Sequence, residues 1–348
     1  MRNKSKIFIA ILAAALYGIS APASKVLLNY IEPLFLASLL YLGAGIGMGS
    51  YDLLRKIKTK RKAEANLSKK ELPYIVAMIV LDIIAPVMLL LGLQRTTAGT
   101  ASLLNNFEIV TTSIIALVFF KEAVGKRQWI AMMLIIAASA ILTFSAGSSF
   151  SLSIGSVYII LACVSWGIEN NCTRQISLKD PVQIVTIKGF GSGIGAFIVC
   201  ALWGQFTLNI FYIICALLLG FVSYGLSILF YVFAQRSLGA VRTSIYYSIA
   251  PFIGVVLSWI VLREEITVNF LAALGIMIVA TYLMAAESHI HRHVHKALTH
   301  DHKHKHDDKH HMHTHSEKIE GYHSHEHTHD AIEHTHGHFP DEHHRHEH

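Results

Sequence analysis

The amino-acid sequence predicts an all-α integral membrane protein with ten transmembrane helices, arranged as two inverted five-helix repeats and followed by a disordered tail. Three observations support this fold class. The 348 residues have a mean hydropathy of +0.46 and only 15% charged residues, which is more apolar than soluble domains. The apolar runs have the length of about 20 residues that a helix needs to cross the hydrocarbon. All 23 histidines lie in a polar segment after Glu287.

The apolar runs between charged or turn-rich breaks give the ten predicted spans. Those of the first half are Ile7–Leu28, Pro33–Tyr51, Leu72–Leu93, Ala98–Phe120 and Gln128–Ser145. Those of the second half are Ile154–Cys172, Pro181–Trp203, Leu208–Val232, Ala240–Val261 and Val268–Ala286. The first span lacks a clear small-residue cleavage site and leads directly into another span. We therefore interpret it as a retained helix rather than a signal peptide.

Basic residues are concentrated in alternate loops. Lysine and arginine cluster before the first span, in residues 55–70, 121–127 and 174–179, whereas the opposite loops hold only Arg95 and Arg263. Basic loops stay preferentially in the cytoplasm, and the number of spans is even. Both termini are therefore predicted to be cytosolic, with the chain in the cytoplasmic membrane. The formal net charge of +6 is therefore attributed to the basic cytosolic loops and the tail of a membrane protein. It does not indicate nucleic-acid binding.

The two halves of the body align as an internal repeat. The aligned pairs are Tyr17-Gly18 with Trp166-Gly167, Glu32-Pro33 with Asp180-Pro181, Gly43 to Gly47 with Gly191 to Gly195, and Lys121-Glu122 with Arg263-Glu264. Each unit has an odd number of spans, so the second unit must be inverted in the membrane, as in many secondary transporters. The predicted domains are a first repeat at 1–146, a second at 147–287 and a cytosolic tail at 288–348.

These motifs, in the same order in both halves, resemble the EamA family of the drug/metabolite transporter superfamily. The resemblance covers roughly residues 7–286. The family often has a Glu-Pro pair midway along the fourth helix of each repeat. Here Glu108 is followed by Ile109, and Pro251 is preceded by Ala250, so each half keeps only part of the pattern. The resemblance implies a proton- or gradient-coupled carrier of small solutes, often an exporter.

Charged residues inside the spans are the first candidates for a site, since each costs about 2.5–3.5 kcal/mol at mid-helix. Asp82, Glu108 and Lys188 lie deep in their spans. Glu169 and Arg242 lie closer to helix ends, where a charged side chain can extend to the lipid headgroups. For these two residues, contact with the headgroups explains the charge as well as a role in a site does. Lys188 is expected to pair with Asp82 or Glu108, or to meet a substrate carboxylate.

Two polar stripes are predicted on repeat-related helices. Asn105 and Glu108 share one face of span four, with Asn106 adjacent. The stripe on span nine consists of Arg242, Tyr246 and Tyr247. If the stripes line one cavity, Glu108 can bind a cation or carry a proton there, which makes it the first candidate for substrate binding or coupling. Alternatively, the amides and hydroxyls only hold helices together.

The body offers no catalytic constellation. It has no histidine and no Walker-type phosphate loop, so we expect neither an enzyme nor an ATP-driven pump, and no required cofactor. Cys163, Cys172, Cys200 and Cys215 lie inside spans without CxxC spacing and are interpreted as buried small residues. Association into a homodimer is left open.

The tail alternates histidine with polar and acidic residues, and its low hydrophobicity predicts disorder. An extended backbone places alternate side chains on one side, so His-x-His pairs can jointly bind Zn²⁺, Ni²⁺, Co²⁺ or Cu²⁺ without one defined site. The candidate ligands are His289, His291, His293, His295, His300, His302, His304, His306, His311, His313, His315, His323, His325, His327 and His329.

Three functions remain open from the sequence. The first is an exporter of a metabolite or amino acid with an ancillary tail, and the second is a transition-metal carrier whose tail collects or senses its cargo. The third is a membrane-anchored metal buffer. Mid-span groups that are neither thiols nor imidazoles favour the first function, and Lys188 adds repulsion against a bare divalent cation.

Overall fold

A computed structural model describes residues 2–58, 67, 69–120, 124–145, 151–176, 179–203, 206–238, 243, 246–285, 289–294, 298–304, 323–329 and 333–338. The described part of the body is helical apart from one short hairpin. In this hairpin β1 (Phe144–Ser145) pairs with β2 (Ser151–Leu152), between the two halves of the chain.

The first half contains α1 Arg2–Gly18, α2 Ser20–Leu27, α3 Pro33–Lys58, α4 Leu72–Arg95, α5 Ala98–Leu104, α6 Phe107–Phe120 and α7 Lys126–Thr143, with a 3₁₀ turn at Lys69–Glu71 before α4. The second half contains α8 Ile154–Ile176, α9 Pro181–Trp203, α10 Ile210–Gly220, α11 Ser227–Leu238, α12 Ala250–Leu257 and α13 Val268–Ala285. A π-helical turn at Phe221–Leu226 joins α10 to α11, and another at Ser258–Leu262 follows α12.

Seven helical stretches of the described residues are long and apolar enough to cross a bilayer. They are Ser5–Leu27, Pro33–Ile57, Lys69–Arg95, Ala98–Phe120, Lys126–Thr143, Pro181–Leu202 and Ile210–Ala234. Ala250–Leu262 and Val268–Met284 are shorter apolar helices, and α8 carries Glu169 and Arg174 within its length. The chain is therefore a multi-pass membrane protein.

Span four was predicted as one helix, but α5 ends at Leu104 and α6 begins at Phe107. The N–H groups of Asn106 and Glu108 bond three residues back, to Leu103 and Asn105, at 3.1 Å each. Such i−3 bonds tighten the chain as in a 3₁₀ turn. Ala98–Phe120 remains one stretch of span length, but its helical hydrogen bonding tightens at Asn105 and Asn106. Residues three apart stay on the same side of such a turn, so the shared face of Asn105 and Glu108 stays a prediction.

Spans one and nine are also broken, and proline supplies the reason in each. Because Pro22 has no N–H, the C=O of Gly18 cannot make its i+4 helical bond, and α1 ends there. Pro251 removes the equivalent partner of Tyr247 C=O, and α12 begins only at Ala250. The helical hydrogen-bond ladder is thus interrupted at three places along the described body.

Helices α3 and α9 form the second span of each half, and they pack antiparallel through glycine residues. A Cβ on Gly45 would lie 2.7 Å from the backbone nitrogen of Phe190, and one on Gly193 would lie 2.7 Å from that of Leu42. Ser38 Oγ donates to Gly193 O at 3.1 Å. The absence of a side chain therefore allows the two backbones to touch.

The GxxxG pairs of these two helices contact the opposite half of the chain. A Cβ on Gly43 would lie 2.0 Å from Leu217 O, and one on Gly47 would lie 1.9 Å from the Phe221 ring. In the same way Gly191 and Gly195 face Ile79 and Ile83 of α4. The second span of each half therefore packs on the third span of the other half.

Two charged side chains fix the connection between α4 and α5. Lys25 Nζ donates to Thr96 O at 2.7 Å and to Leu93 O, at the carboxyl end of α4. The Glu264 carboxylate accepts from the backbone N–H of Ala98 at 2.6 Å and of Gly99 at 2.9 Å, at the start of α5. Both charges match the helix dipole at the end they contact.

In the tail, four described segments have extended, paired backbone. β3 His289–Val294 pairs antiparallel with β6 Glu333–His338, and β4 Leu298–His304 pairs with β5 His323–His329. Here the structure differs from the predicted disorder, because histidine at every second position also has the two-residue period of a strand. The predicted ligands His295, His306, His311, His313 and His315 lie outside the described residues.

We expect Gly43→Ala to destabilise the protein by about 1–3 kcal/mol, because the new methyl group would overlap Leu217 O. Gly275→Ala is the matched control, since a Cβ at Gly275 has no neighbour within 4 Å. Thermal unfolding of the detergent-purified variants measures both effects. Equal unfolding temperatures for Gly43→Ala and the parent protein would contradict the close packing of α3 on α10.

Candidate functional site

Three charged residues meet inside the helical body. Lys188 Nζ of α9 lies 3.1 Å from Asp82 Oδ2 of α4 and 2.9 Å from Glu169 Oε1 of α8. Asp82 and Glu169 are 0% and 1% exposed. Tyr41 of α3 donates its hydroxyl hydrogen to Asp82 Oδ1 at 2.9 Å, and Thr173 donates to Glu169. Two buried carboxylates therefore share one ammonium, and we call these three residues the ion triad.

The ion triad resolves one alternative that the sequence left open. Lys188 pairs with Asp82, as one option predicted, but its second partner is Glu169 and not Glu108. The sequence placed Glu169 near a helix end, where headgroups explain it. Helix α8 continues to Ile176, one turn beyond the predicted end, so Glu169 lies in the helix interior. Of the two interpretations that the sequence left open for Glu169, the structure therefore shows the buried, paired carboxylate.

Glu108 lies in the first turn of α6 and is held by the neighbouring helix. Asn170 Nδ2 of α8 donates to Glu108 Oε1 at 2.6 Å and lies 3.3 Å from Thr112 Oγ1. The adjacent Asn171 donates to Thr112 O at 3.1 Å. Because Asn170 follows Glu169 in the chain, α8 carries both the contact to Glu108 and one member of the ion triad.

A row of tyrosine rings runs from Asp82 to the segment before α12. The ring centroids of Tyr41 and Tyr224 are 5.5 Å apart, those of Tyr224 and Tyr17 are 6.2 Å apart, and those of Tyr17 and Tyr247 are 5.9 Å apart. Ser20 Oγ donates to the Tyr224 hydroxyl at 3.1 Å. These four tyrosines thus form a continuous wall of rings with hydroxyl groups, from Asp82 to the segment before α12.

A small cavity opens beside this wall, where the broken helices meet. Its lining residues are Tyr17, Gly18, Ser20, Ala21, Leu89, Ser102, Asn105, Ala250 and Pro251. They come from α1, α2, α4, α5, the break after α5, and α12. We call this space the break cavity. It contains atoms from both halves of the chain.

The predicted polar stripes are only partly brought together. Asn105 lines the break cavity, whereas Asn106 is buried and donates to Leu103 O at 3.2 Å. Tyr247 lies 3.3 Å from Ser227 Oγ through its hydroxyl, and Tyr246 is half-buried on the same short segment. Arg242 lies outside the described residues.

Sequence reasoning missed Tyr41 and Asn170, which donate hydrogen bonds from other helices to Asp82 at 2.9 Å and to Glu108 at 2.6 Å. Asn170 stood next to a charged residue in an apolar helix, which was an available signal. Tyr41 offered none, because a tyrosine in a membrane helix is ordinary. Tyr17 was noted only as a repeat marker.

Across the described residues, no group of three or more His, Cys, Asp or Glu side chains is placed to hold a metal ion. The ion triad has two carboxylates but fills the space between them with an ammonium group. Cys163 and Cys200 are buried, as expected for small apolar residues, while Cys172 and Cys215 are half-buried.

Comparison with known proteins shows the family. Residues 4–144 and 153–286 each match the EamA-like transporter family. This chain belongs to that family. A Methanothermobacter thermautotrophicus protein named "Uncharacterized transporter" is 24% identical over 278 residues, which is 75% of this chain and 80% of that protein. The chain is therefore a membrane transporter, as the resemblance of its motifs implied.

A solved crystal structure also resembles the chain. It superposes with a TM-score of 0.59 at 13% sequence identity, covering 80% of this chain and 95% of the other. At this identity the likeness concerns the fold alone.

Removing the ammonium of the ion triad should be costly. We expect Lys188→Met to destabilise the protein by about 3–5 kcal/mol, because two buried carboxylates lose their shared partner. Lys56→Met is the control, since Lys56 forms its 2.6 Å pair with Asp52 at a position where its side chain is 67% exposed, and such pairs contribute about 0–1 kcal/mol. Thermal unfolding in detergent compares the two variants.

The triple change Asp82→Asn, Glu169→Gln and Lys188→Met removes all three charges. It should recover much of the stability that Lys188→Met loses. A triple variant less stable than Lys188→Met would contradict charge imbalance as the cause.

Proposed function

We propose that the chain is a secondary carrier that exports a small organic solute, a metabolite or an amino acid, by alternating access. The observation that carries this proposal is the polar network formed by the ion triad, Glu108 and Asn170. Asp82 and Glu108 come from the first half of the chain, and Glu169, Asn170 and Lys188 come from the second. Charged groups at this depth are costly, so they usually pair with another charge or line a substrate pathway.

The packing of the halves supports an inverted repeat of ten spans as the scaffold. The second helices, α3 and α9, run antiparallel, which is the relation that inversion requires. Ser227 Oγ of α11 donates to Ala13 O at 2.9 Å and Ser223 Oγ donates to Leu16 O at 2.7 Å, so α11 also runs antiparallel to α1. Inverted repeats place the substrate site near the midplane, between the repeats.

Movement of one half against the other would change the polar network directly. The contacts from Lys188 to Asp82 and from Asn170 to Glu108 both cross between the halves. A solute ammonium can replace Lys188 beside a carboxylate, and a solute carboxylate can attract Lys188 away from it. The same atoms can thus bind a zwitterionic solute and switch the contact between the halves.

The basic loops support cytosolic termini in the cytoplasmic membrane, so the histidine tail would lie at the cytosolic mouth. There the tail can bind Zn²⁺, Ni²⁺, Co²⁺ or Cu²⁺ through paired imidazoles. A transition-metal carrier remains the second candidate, because imidazoles at the mouth raise the local metal concentration. The third candidate, a membrane-anchored metal buffer, leaves the buried polar network without a use.

A flux assay in proteoliposomes separates these functions. The samples are the intact protein, a chain ending at Glu287, and Glu108→Gln, each assayed with radiolabelled amino acids and with Ni²⁺ or Zn²⁺. We expect amino-acid flux to survive truncation and to fall at least tenfold in Glu108→Gln, because the half-buried Glu108 carboxylate accepts a hydrogen bond from Asn170 in the other half. Glu265→Gln, which changes an exposed carboxylate, should transport like the intact protein.

Metal flux that Glu108→Gln abolishes and truncation only weakens would instead establish the metal carrier. Equal amino-acid flux in Glu108→Gln and Glu265→Gln would show that the buried network does not bind the solute.

The tail should account for equilibrium metal binding. We expect the chain ending at Glu287 to lose most Ni²⁺ or Zn²⁺ binding measured by titration calorimetry. In the intact chain, binding should weaken below about pH 6.5, where imidazole becomes protonated and can no longer donate its lone pair. Undiminished binding by the truncated chain would place the metal site in the body.

A further inference from the structure

The break cavity contains oxygen atoms that nothing in the described structure satisfies. Ser102 Oγ and Asn105 Oδ1 line the cavity and have no hydrogen-bond partner there. Ser24 Oγ is equally unpartnered and lies one helical turn beyond Ser20, a third lining residue, on the same face of α2. Ser24 and Ser102 are 1% and 3% exposed. Each buried oxygen without a partner costs about 1–3 kcal/mol, so a ligand at this position is favoured.

Backbone carbonyls add to this set of oxygens. Pro22 and Pro251 free the C=O groups of Gly18 and Tyr247 from helical bonding. Glycine then lets the oxygens approach one another. A Cβ on Gly254 would lie 2.5 Å from Ser102 Oγ and 3.1 Å from Gly18 O, and a Cβ on Gly18 would lie 2.7 Å from Ala250 O. Ser102 Oγ and Gly18 O thus both lie beside Gly254, and Ala250 O lies beside Gly18.

The chemistry of these atoms selects the ligand. Hydroxyl, amide and carbonyl oxygens are hard donors that suit alkali and alkaline-earth cations rather than transition metals. Divalent Ca²⁺ normally requires carboxylates among its ligands. No carboxylate lines the break cavity, and the nearby Glu108 already accepts from Asn170. A neutral oxygen set of this kind fits a monovalent cation.

We propose that the break cavity binds a sodium ion through Ser102 Oγ, Asn105 Oδ1 and the carbonyl oxygen of Gly18, with the unpartnered Ser24 Oγ one helical turn beyond the lining residue Ser20. Gly18 and Ser24 come from the first span, Ser102 and Asn105 from the fourth, and the opposing wall of Ala250 and Pro251 from the ninth. A sodium ion here would therefore hold the first and fourth spans together, against a wall formed by the ninth span. Its binding and release would be coupled to their relative position, independently of the ion triad.

The test is cation binding by the purified full-length protein at constant ionic strength. Sodium chloride should raise the unfolding temperature above the value in potassium chloride or N-methylglucamine chloride, because a ligand that binds only the folded state stabilises it. Direct binding of radiolabelled sodium should be at least tenfold weaker in Ser102→Ala. Ser139→Ala is the matched control, since Ser139 Oγ is also buried and unpartnered but belongs to α7, outside the cavity. It should bind sodium like the parent protein.

A second variant keeps the proposal testable if Ser102→Ala folds poorly. Asn105→Asp adds a carboxylate of the same shape and should tighten sodium binding by tenfold or more. Equal stability in sodium and N-methylglucamine, or equal sodium binding by Ser102→Ala and Ser139→Ala, would show a cavity that holds water only and would overturn the proposal. Because binding is measured without flux, sodium binding by a protein that transports nothing would overturn the carrier function alone. Solute flux without any sodium binding would overturn the sodium site alone.

Discussion

A polypeptide inside a bilayer cannot leave its backbone N–H and C=O groups without partners, because hydrocarbon offers none. Three of the helical stretches here are nevertheless interrupted, after Gly18, at Asn105 and Asn106, and before Ala250. The groups freed at such points must meet protein or an enclosed polar space. This constraint explains why Gly18, Asn105 and Ala250 line the same cavity. The glycine contacts of α3 and the capping of α5 by Glu264 hold the interrupted helices in the positions that this arrangement needs.

The two halves proposed as inverted repeats share sequence motifs, but they do not share their charges. The alignment of the halves places Glu169 on Ser20, Asp82 on Ser223 and Lys188 on Leu40. Where one side of the molecule holds the ion triad, the other has two hydroxyls and a leucine, and there Ser20 bonds to Tyr224 while Ser223 bonds to Leu16 O. A symmetric scaffold allows two arrangements of similar packing energy. The charges exist on one side only, so they determine how the two arrangements differ in free energy and how a bound solute shifts their balance.

The sequence predicted most of the fold because the length of an apolar run and the cost of a buried charge are local properties. The expectation that Lys188 meets Asp82, Glu108 or a substrate carboxylate followed from that cost, since a lone ammonium in an apolar helix requires an anion. The choice of Asp82 required the structure. Helix breaks escaped prediction because hydropathy reports which side chains meet lipid and not whether backbone bonds continue. Pro22 and Pro251 were local signals of two breaks, whereas the turn at Asn105 depends on tertiary contacts. The contact from Asn170 to Glu108 also required the relative rotation of α6 and α8, which no single-helix pattern contains.

The separation of imidazole from the polar network limits what the tail can do for transport. Borderline metals such as Ni²⁺ and Zn²⁺ bind most strongly to nitrogen and sulfur ligands. The described path offers carboxylates, amides, phenols and one ammonium, while all 23 histidines lie after Glu287. A metal ion moving from the tail into the body would exchange several imidazoles for a site that already contains Lys188. That exchange is unfavourable because oxygen ligands would replace nitrogen ligands. The ammonium group of Lys188 would also repel the metal ion. Under the proposed topology, metal bound by the tail would act at the cytosolic mouth, and the oxygen-lined interior would take cargo of a different chemistry.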